Sequence, residues 1–265
     1  MNRDLQYEQE VSKFSKKDAI IAICLFTYWL IFAFTVSIIR SEFSISDEEW
    51  QIPDAVIAIV NILIVFVLIK IRKQSLASIG LHKKNILPAI GIGLLFMPIM
   101  LVFRGLMPGL TNGWTLYSVG SILLSLASVT LLAVREDITF VGYIQTRLYG
   151  LVKNDFWAIN LGATLFMVLH MPQQLVIGIP MGIPGFITWL AFTFFMHRAF
   201  VMLFKRYYSL VPVFMMHIAN NVTAPARIWQ DSDGAGTSWW GTIAFFIFIF
   251  AVQFWYSKWN RACSH

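Results

Sequence analysis

The sequence predicts an all-α integral membrane protein, a polytopic bundle of about eight transmembrane helices. Three observations predict it. Of 265 residues, 58% are hydrophobic and 13% charged, whereas soluble domains carry roughly a quarter charged residues. The apolar residues gather into runs of the length a bilayer-crossing helix needs, roughly 20 residues. Lys and Arg cluster between those runs, so the formal charge of +6 reads as orientation and attraction to a membrane surface, with no nucleic-acid partner.

The runs cover residues 19–39, 52–71, 86–103, 117–148, 156–177, 183–204, 208–222 and 239–259. The first follows Lys13, Lys16 and Lys17 and lacks a small-residue cleavage site, so it is a retained helix and not a signal peptide. The second begins after the acidic S-D-E-E-W of residues 46–50 and ends at Lys70, Arg72 and Lys73, with Lys83 and Lys84 just beyond. The fifth and sixth are joined by the Pro/Gly-rich G-I-P-M-G-I-P-G of residues 178–185, an irregular stretch that belongs outside the hydrocarbon. Lys205 and Arg206 close the sixth. Most of the 20 basic residues fall on the side of the amino terminus, with Arg40, Arg104 and Arg227 opposite. The basic residues therefore place both termini in the cytoplasm of a plasma-membrane protein, and the compact connectors suggest a bacterial one. Cys24 and Cys263 are the only cysteines, too few for a disulfide framework or a thiolate metal site.

The fourth run is anomalous. It passes straight through Arg135, Glu136 and Asp137 and resumes as I-T-F-V-G-Y-I-Q-T-R-L-Y. A carboxylate in hydrocarbon costs about 2.5–3.5 kcal/mol even on the lenient insertion scale, so such a group marks a functional candidate. The other polar residues deep in runs are His170, His217, Asn220 and Asn221. Asn61 and Asn160 read as glue between helices. His217 and Asn221 are four apart and share a helix face, as do Phe166 and His170. At 1.5 Å per residue, His217 lies about 15 Å and His170 about 20 Å from the inner ends of their runs. Glu136 joins them if the fourth helix continues to about Leu148.

Three stretches carry a resemblance. E-D-I-T-F-V-G-Y-I-Q (136–145), L-F-M-V-L-H-M-P (165–172) and V-P-V-F-M-M-H-I-A-N-N (211–221) resemble, in order and spacing, the motifs E-E-x-x-x-R, F-x-x-x-H and H-x-x-x-N of the CAAX-protease and bacteriocin-processing (CPBP, or Abi) intramembrane peptidases. The S-L-A-S-I-G-L of residues 75–81 is similar to the segment that precedes the core in that family. One membrane domain over 1–265 then divides into two leading helices (1–74), a CPBP-like core (75–225) and a last helix (226–265).

The resemblance implies an intramembrane endopeptidase acting on a hydrophobic, lipidated or leader or signalling peptide in the lipid bilayer. In it Glu136 is the general base, His170 helps to hold the attacking water, and His217 and Asn221 donate to the developing oxyanion, with Asp137, Phe166 and Asn220 in support. No cofactor is expected. A rival reading makes Glu136, His170 and His217 zinc ligands with an open position, although the H-E-x-x-H pair is missing. Two positions depart from the pattern: Asp137 replaces the second glutamate and Val141 the arginine. Arg147, three turns on, shares the face of Glu136 but lies roughly 16 Å away along an α-helix, and Arg135 points about 100° around it, so neither is expected to replace the arginine cleanly. The missing arginine motivates the alternative of an inactive membrane immunity or adaptor protein.

Overall fold

The computed structural model describes residues 3–83, 86–102, 115–116, 118–178, 182–222, 229–230, 247 and 251–252. They form an all-helical bundle in which α1 is Arg3–Val11, α2 Lys16–Glu42, α3 Asp47–Ile71, α4 Ile86–Leu101, α5 Val119–Glu136, α6 Gln145–Leu148, α7 Asp155–Ile177, α8 Gly182–Tyr207 and α9 Val211–Val222. A 3₁₀ turn covers Leu76–Ile79, and a wide π-helical stretch, Asp137–Ile144, joins α5 to α6. The only extended pairing among the described residues is a two-residue antiparallel bridge, Thr115–Leu116 against Trp229–Gln230.

Seven of the eight expected runs coincide with helices, and the eighth, 239–259, lies almost wholly outside the described residues. Among the described residues, four segments are long and apolar enough to cross a membrane: Lys16–Glu42, Glu49–Ile71, Val119–Leu148 and Gly182–Tyr207. Helix α7 is 23 residues long but is interrupted by Asn160, His170, Gln173 and Gln174. Helices α4 and α9 are shorter, with 16 and 12 residues.

Local chemistry sets the helix starts. Ser15 opens α2 and Ser46 opens α3, each with a capping box closed by Asp18 or Glu49, so that two orphan backbone donors are satisfied reciprocally. Asn154 caps α7 through Trp157 N. Helix α1 has no counterpart in the apolar runs. Its charged sequence hides a stripe of Tyr7 and Val11, four apart, continued by Phe14, and all three are buried, with α1 lying on α8.

The bundle exposes apolar side chains and buries polar ones alongside an apolar core. Ile31, Phe43, Ile52, Leu87, Val119 and Ile187 are exposed, whereas Arg147, Gln145, Thr146 and Lys205 are buried. Every residue of the π-helical stretch is buried, because it touches α2, α3, α7, α8 and the 3₁₀ turn at once. Packing is close where side chains are absent: a Cβ on Gly142 would lie 3.1 Å from the Ile79 carbonyl oxygen.

The basic end is tied down through residues 74–81. Arg147 Nη2 donates to Gln74 Oε1 at 2.7 Å and Ser78 Oγ at 2.6 Å, while Nη1 donates to Thr146 Oγ1 at 2.7 Å and to the carbonyls of Ser78 and Gly142. Its guanidinium also lies 4.4 Å over Phe14 and 4.3 Å over Tyr143. Gln74 in turn donates to Asp18, which pairs with Arg72 at 3.0 Å. Nearby, Asp155 accepts from Tyr149 at 2.5 Å and pairs with Lys205. Burial, with Tyr7 and Asp155 close by, raises the Tyr149 phenol far above its ordinary value, so it remains a donor at any physiological pH.

Candidate active site

Four helical segments converge on one cluster. Glu136 ends α5, Asp137 opens the π-helical stretch, His170 stands on α7 and His217 on α9. Glu136 Oε2 lies 4.0 Å from His170 Nε2 and 3.7 Å from His217 Nε2. Asp137 Oδ1 is 2.9 Å from His217 Nδ1. Glu136, Asp137 and His217 are buried, and the His170 side chain is 25% exposed, so the cluster opens on the His170 side.

The second nitrogen of each ring is engaged elsewhere, which orients both rings. His170 Nδ1 lies 2.8 Å from the carbonyl oxygen of Phe166, one turn earlier. A carbonyl only accepts, so Nδ1 carries the hydrogen and Nε2 of the neutral ring turns a lone pair toward Glu136. His217 Nδ1 faces the Asp137 carboxylate, leaving its Nε2 also directed at Glu136 Oε2. This is the carboxylate–imidazole arrangement that fixes a ring and stabilises its protonated form.

Neither Nε2 reaches the carboxylate directly. Polar gaps wider than about 3.5 Å suit a bridging water. Glu136 Oε2 and the two imidazoles thus frame a position for one small oxygen species.

The supporting residues fall in different places. Phe166 packs against the cluster with its ring 4.5 Å from His170. Asn221 lies one turn beyond His217 on α9, and its Oδ1 accepts from Asn220 Nδ2 at 3.0 Å. Asn220 is buried and Asn221 half-buried. Asn61 and Asn160 stay outside the cluster: each bonds its own helix four residues back, and Asn160 also ties α7 to α8 by accepting from Arg198 at 2.5 Å.

One residue escaped the sequence reading and another lies elsewhere than expected. His197 on α8 is buried and stacks on Phe166 at 4.8 Å with neither ring nitrogen hydrogen-bonded; only its apolar neighbourhood in the sequence marks it. Arg135 was expected to point away, yet its Nη2 lies 3.2 Å from Glu136 Oε1 and its Nη1 3.3 Å from Asp54 Oδ1. A long guanidinium stem bends back where its Cβ direction does not. Arg147 bonds Gln74 and Ser78 and not Glu136, in line with its expected distance along the helix. Among the described residues, no three His, Cys, Asp or Glu side chains are grouped so as to hold a metal ion.

A family model described as type II CAAX prenyl endopeptidase Rce1-like matches residues 118–223, the stretch that carries Glu136, His170 and His217. No curated protein and no solved structure gives a significant match. Over residues 118–223 the chain is thus similar to the CAAX-type proteases, and the ordered motifs at Glu136, His170 and His217 fall inside the matched stretch.

Proposed function

We propose that the protein is an intramembrane endopeptidase that cleaves hydrophobic, lipidated or leader or signalling peptides with a water activated by Glu136, without a metal. The observation that carries this reading is the shared orientation of His170 Nε2 and His217 Nε2 toward Glu136 Oε2, at 4.0 and 3.7 Å. Each gap suits one water, and the carboxylate has no closer partner on that oxygen among the described hydrogen bonds.

In this mechanism Glu136 takes a proton from water while the His170 lone pair holds its other hydrogen. The oxygen attacks the scissile carbonyl carbon, and the carbonyl π electrons move to oxygen. His217, protonated and held by Asp137, donates from Nε2 to that oxyanion, with Asn221 as the second donor from the same helix face. One such donor contributes about 3 kcal/mol in a site shielded from water. Collapse expels the amine, which takes the proton from Glu136. The peptide enters from the His170 side, where Trp189 lies 5.9 Å from that ring and offers an apolar wall. The chain is proposed to sit in a bacterial plasma membrane with both termini cytoplasmic.

The test uses purified protein in liposomes with a panel of prenylated carboxy-terminal peptides and membrane-anchored leader peptides. Cleavage by the wild type, lost in Glu136→Gln and insensitive to chelator, is the expected result. Equal cleavage by Glu136→Gln overturns the reading, and chelator-sensitive activity restored by zinc transfers Glu136, His170 and His217 to the role of ligands. Val141 at the motif's arginine position favours a second reading, an inactive immunity or adaptor protein; capture of an intact peptide by wild type and Glu136→Gln alike, with no product from either, selects it.

A further inference from the structure

Helices α2 and α3 precede the matched stretch 118–223, yet each touches Arg135, which in turn meets the Glu136 carboxylate. Glu136 uses its oxygens differently. Oε2 faces the imidazoles, and Oε1 lies 3.2 Å from Arg135 Nη2. The guanidinium is itself held on two sides: Nη1 lies 3.3 Å from Asp54 Oδ1 on α3, and the central carbon sits 4.7 Å from the centre of the Trp29 ring on α2. Arg135 and Trp29 are buried, and Trp29 is braced edge-on by Phe140 at 6.2 Å.

We propose that Arg135 is the positioning residue of this site, standing in for the arginine absent at Val141, and that Trp29 and Asp54 bring the two leading helices into the site by fixing its guanidinium. The proposal rests on the peptidase reading and deepens it. An arginine alone with a glutamate forms a two-pronged pair that covers both carboxylate oxygens. Asp54 draws one prong away, so Arg135 takes Oε1 only and Oε2 stays free for water. The indole face fixes the guanidinium plane, a role that suits arginine and not lysine. The charged or titratable groups facing Glu136 are Arg135 on its own helix, His170 on α7 and His217 on α9, with Asp54 and Asp137 one contact further out.

The experiment compares full-length Arg135→Met, Arg135→Lys, Asp54→Asn and Asp54→Glu in liposomes, reading kcat and KM separately. It also reads modification of Glu136 by a hydrophobic carbodiimide, using mass spectrometry. Arg135→Met is expected to lower kcat by about 10- to 100-fold with KM unchanged, Arg135→Lys to recover little, and Asp54→Asn to lower kcat about tenfold, with Asp54→Glu recovering most of it. Carbodiimide modification rises several-fold in Arg135→Met, where the carboxylate has lost its cation. Asp54 is 26% exposed at its side chain, so its variants remain informative should Arg135→Met fail to fold. A kcat within about twofold of wild type in both Arg135→Met and Asp54→Asn, beside an inactive Glu136→Gln, overturns the proposal. Should the wild type cleave no peptide, it is the peptidase reading that fails, and unchanged carbodiimide modification then overturns the positioning role on its own.

Discussion

Two buried polar clusters lie on the same continuous helical segment, eleven residues apart, and they are built in opposite ways. Around Arg147, both terminal guanidinium nitrogens are used, in five hydrogen bonds to Gln74, Ser78, Thr146 and Gly142. Around Glu136, Oε2 faces two imidazoles across gaps of 3.7 and 4.0 Å, and Asp137 Oδ2 has no hydrogen-bond partner. Direct bonds to several segments fix them to one another, as the two terminal nitrogens of Arg147 fix residues 74–78 to the end of the Val119–Leu148 segment, although its Nε has no hydrogen-bond partner. An unfilled set leaves capacity for a reacting molecule. The difference separates the staple from the site more clearly than burial does, since both clusters are buried.

Exchanging the two behaviours by mutation is the way to break the comparison. The largest effect is expected at Glu136: Glu136→Gln should lower peptide cleavage by about 10²- to 10⁴-fold while the unfolding midpoint in detergent stays level or rises. A cleavage rate near wild type would move the site elsewhere. Next, Arg147→Met should cost about 3 kcal/mol of stability, because buried Ser78 and half-buried Gln74 lose their charged partner. Cleavage per folded molecule should be retained, as measured by activity normalised to the folded fraction. Gly150→Ala tests the same end of the bundle: its Cβ would lie 2.1 Å from the Ser15 carbonyl oxygen, a backbone atom that cannot turn aside, so a loss of about 2 kcal/mol is expected. The smallest effect belongs to Tyr149→Phe, which removes one hydrogen bond to Asp155 and should cost about 1 kcal/mol; a loss several times larger would make Asp155 part of the staple.

Much of this architecture was legible in the sequence. Apolar runs gave seven helices their places, because hydrophobic length is a strong constraint in lipid. Glu136, His170 and His217 stood out because polar groups deep in such runs are costly, and the structure brings the three together. Other features were hidden for stated physical reasons. Helix α1 is short and mostly charged, and only tertiary contact with α8 reveals its Tyr7 and Val11 stripe. The placement of Arg135 depends on side-chain reach and on Asp54, 81 residues away, which no local period encodes. The π-helical turn at residues 137–144 was hidden too, since a run of apolar residues reads the same at either helical period.

That stretch has a mechanical consequence. A π-helical turn takes up more residues per revolution than an α-helical one, so relaxing residues 137–144 into an ordinary helix would screw everything after Ile144 around the axis relative to Glu136. Arg147, socketed between Gln74 and Ser78, resists that rotation as a key resists turning in the wrong lock. The angle at which the carboxylates meet the imidazoles is therefore set from the far end of the segment, and removing one residue between positions 138 and 144 should unseat either the key or the carboxylates.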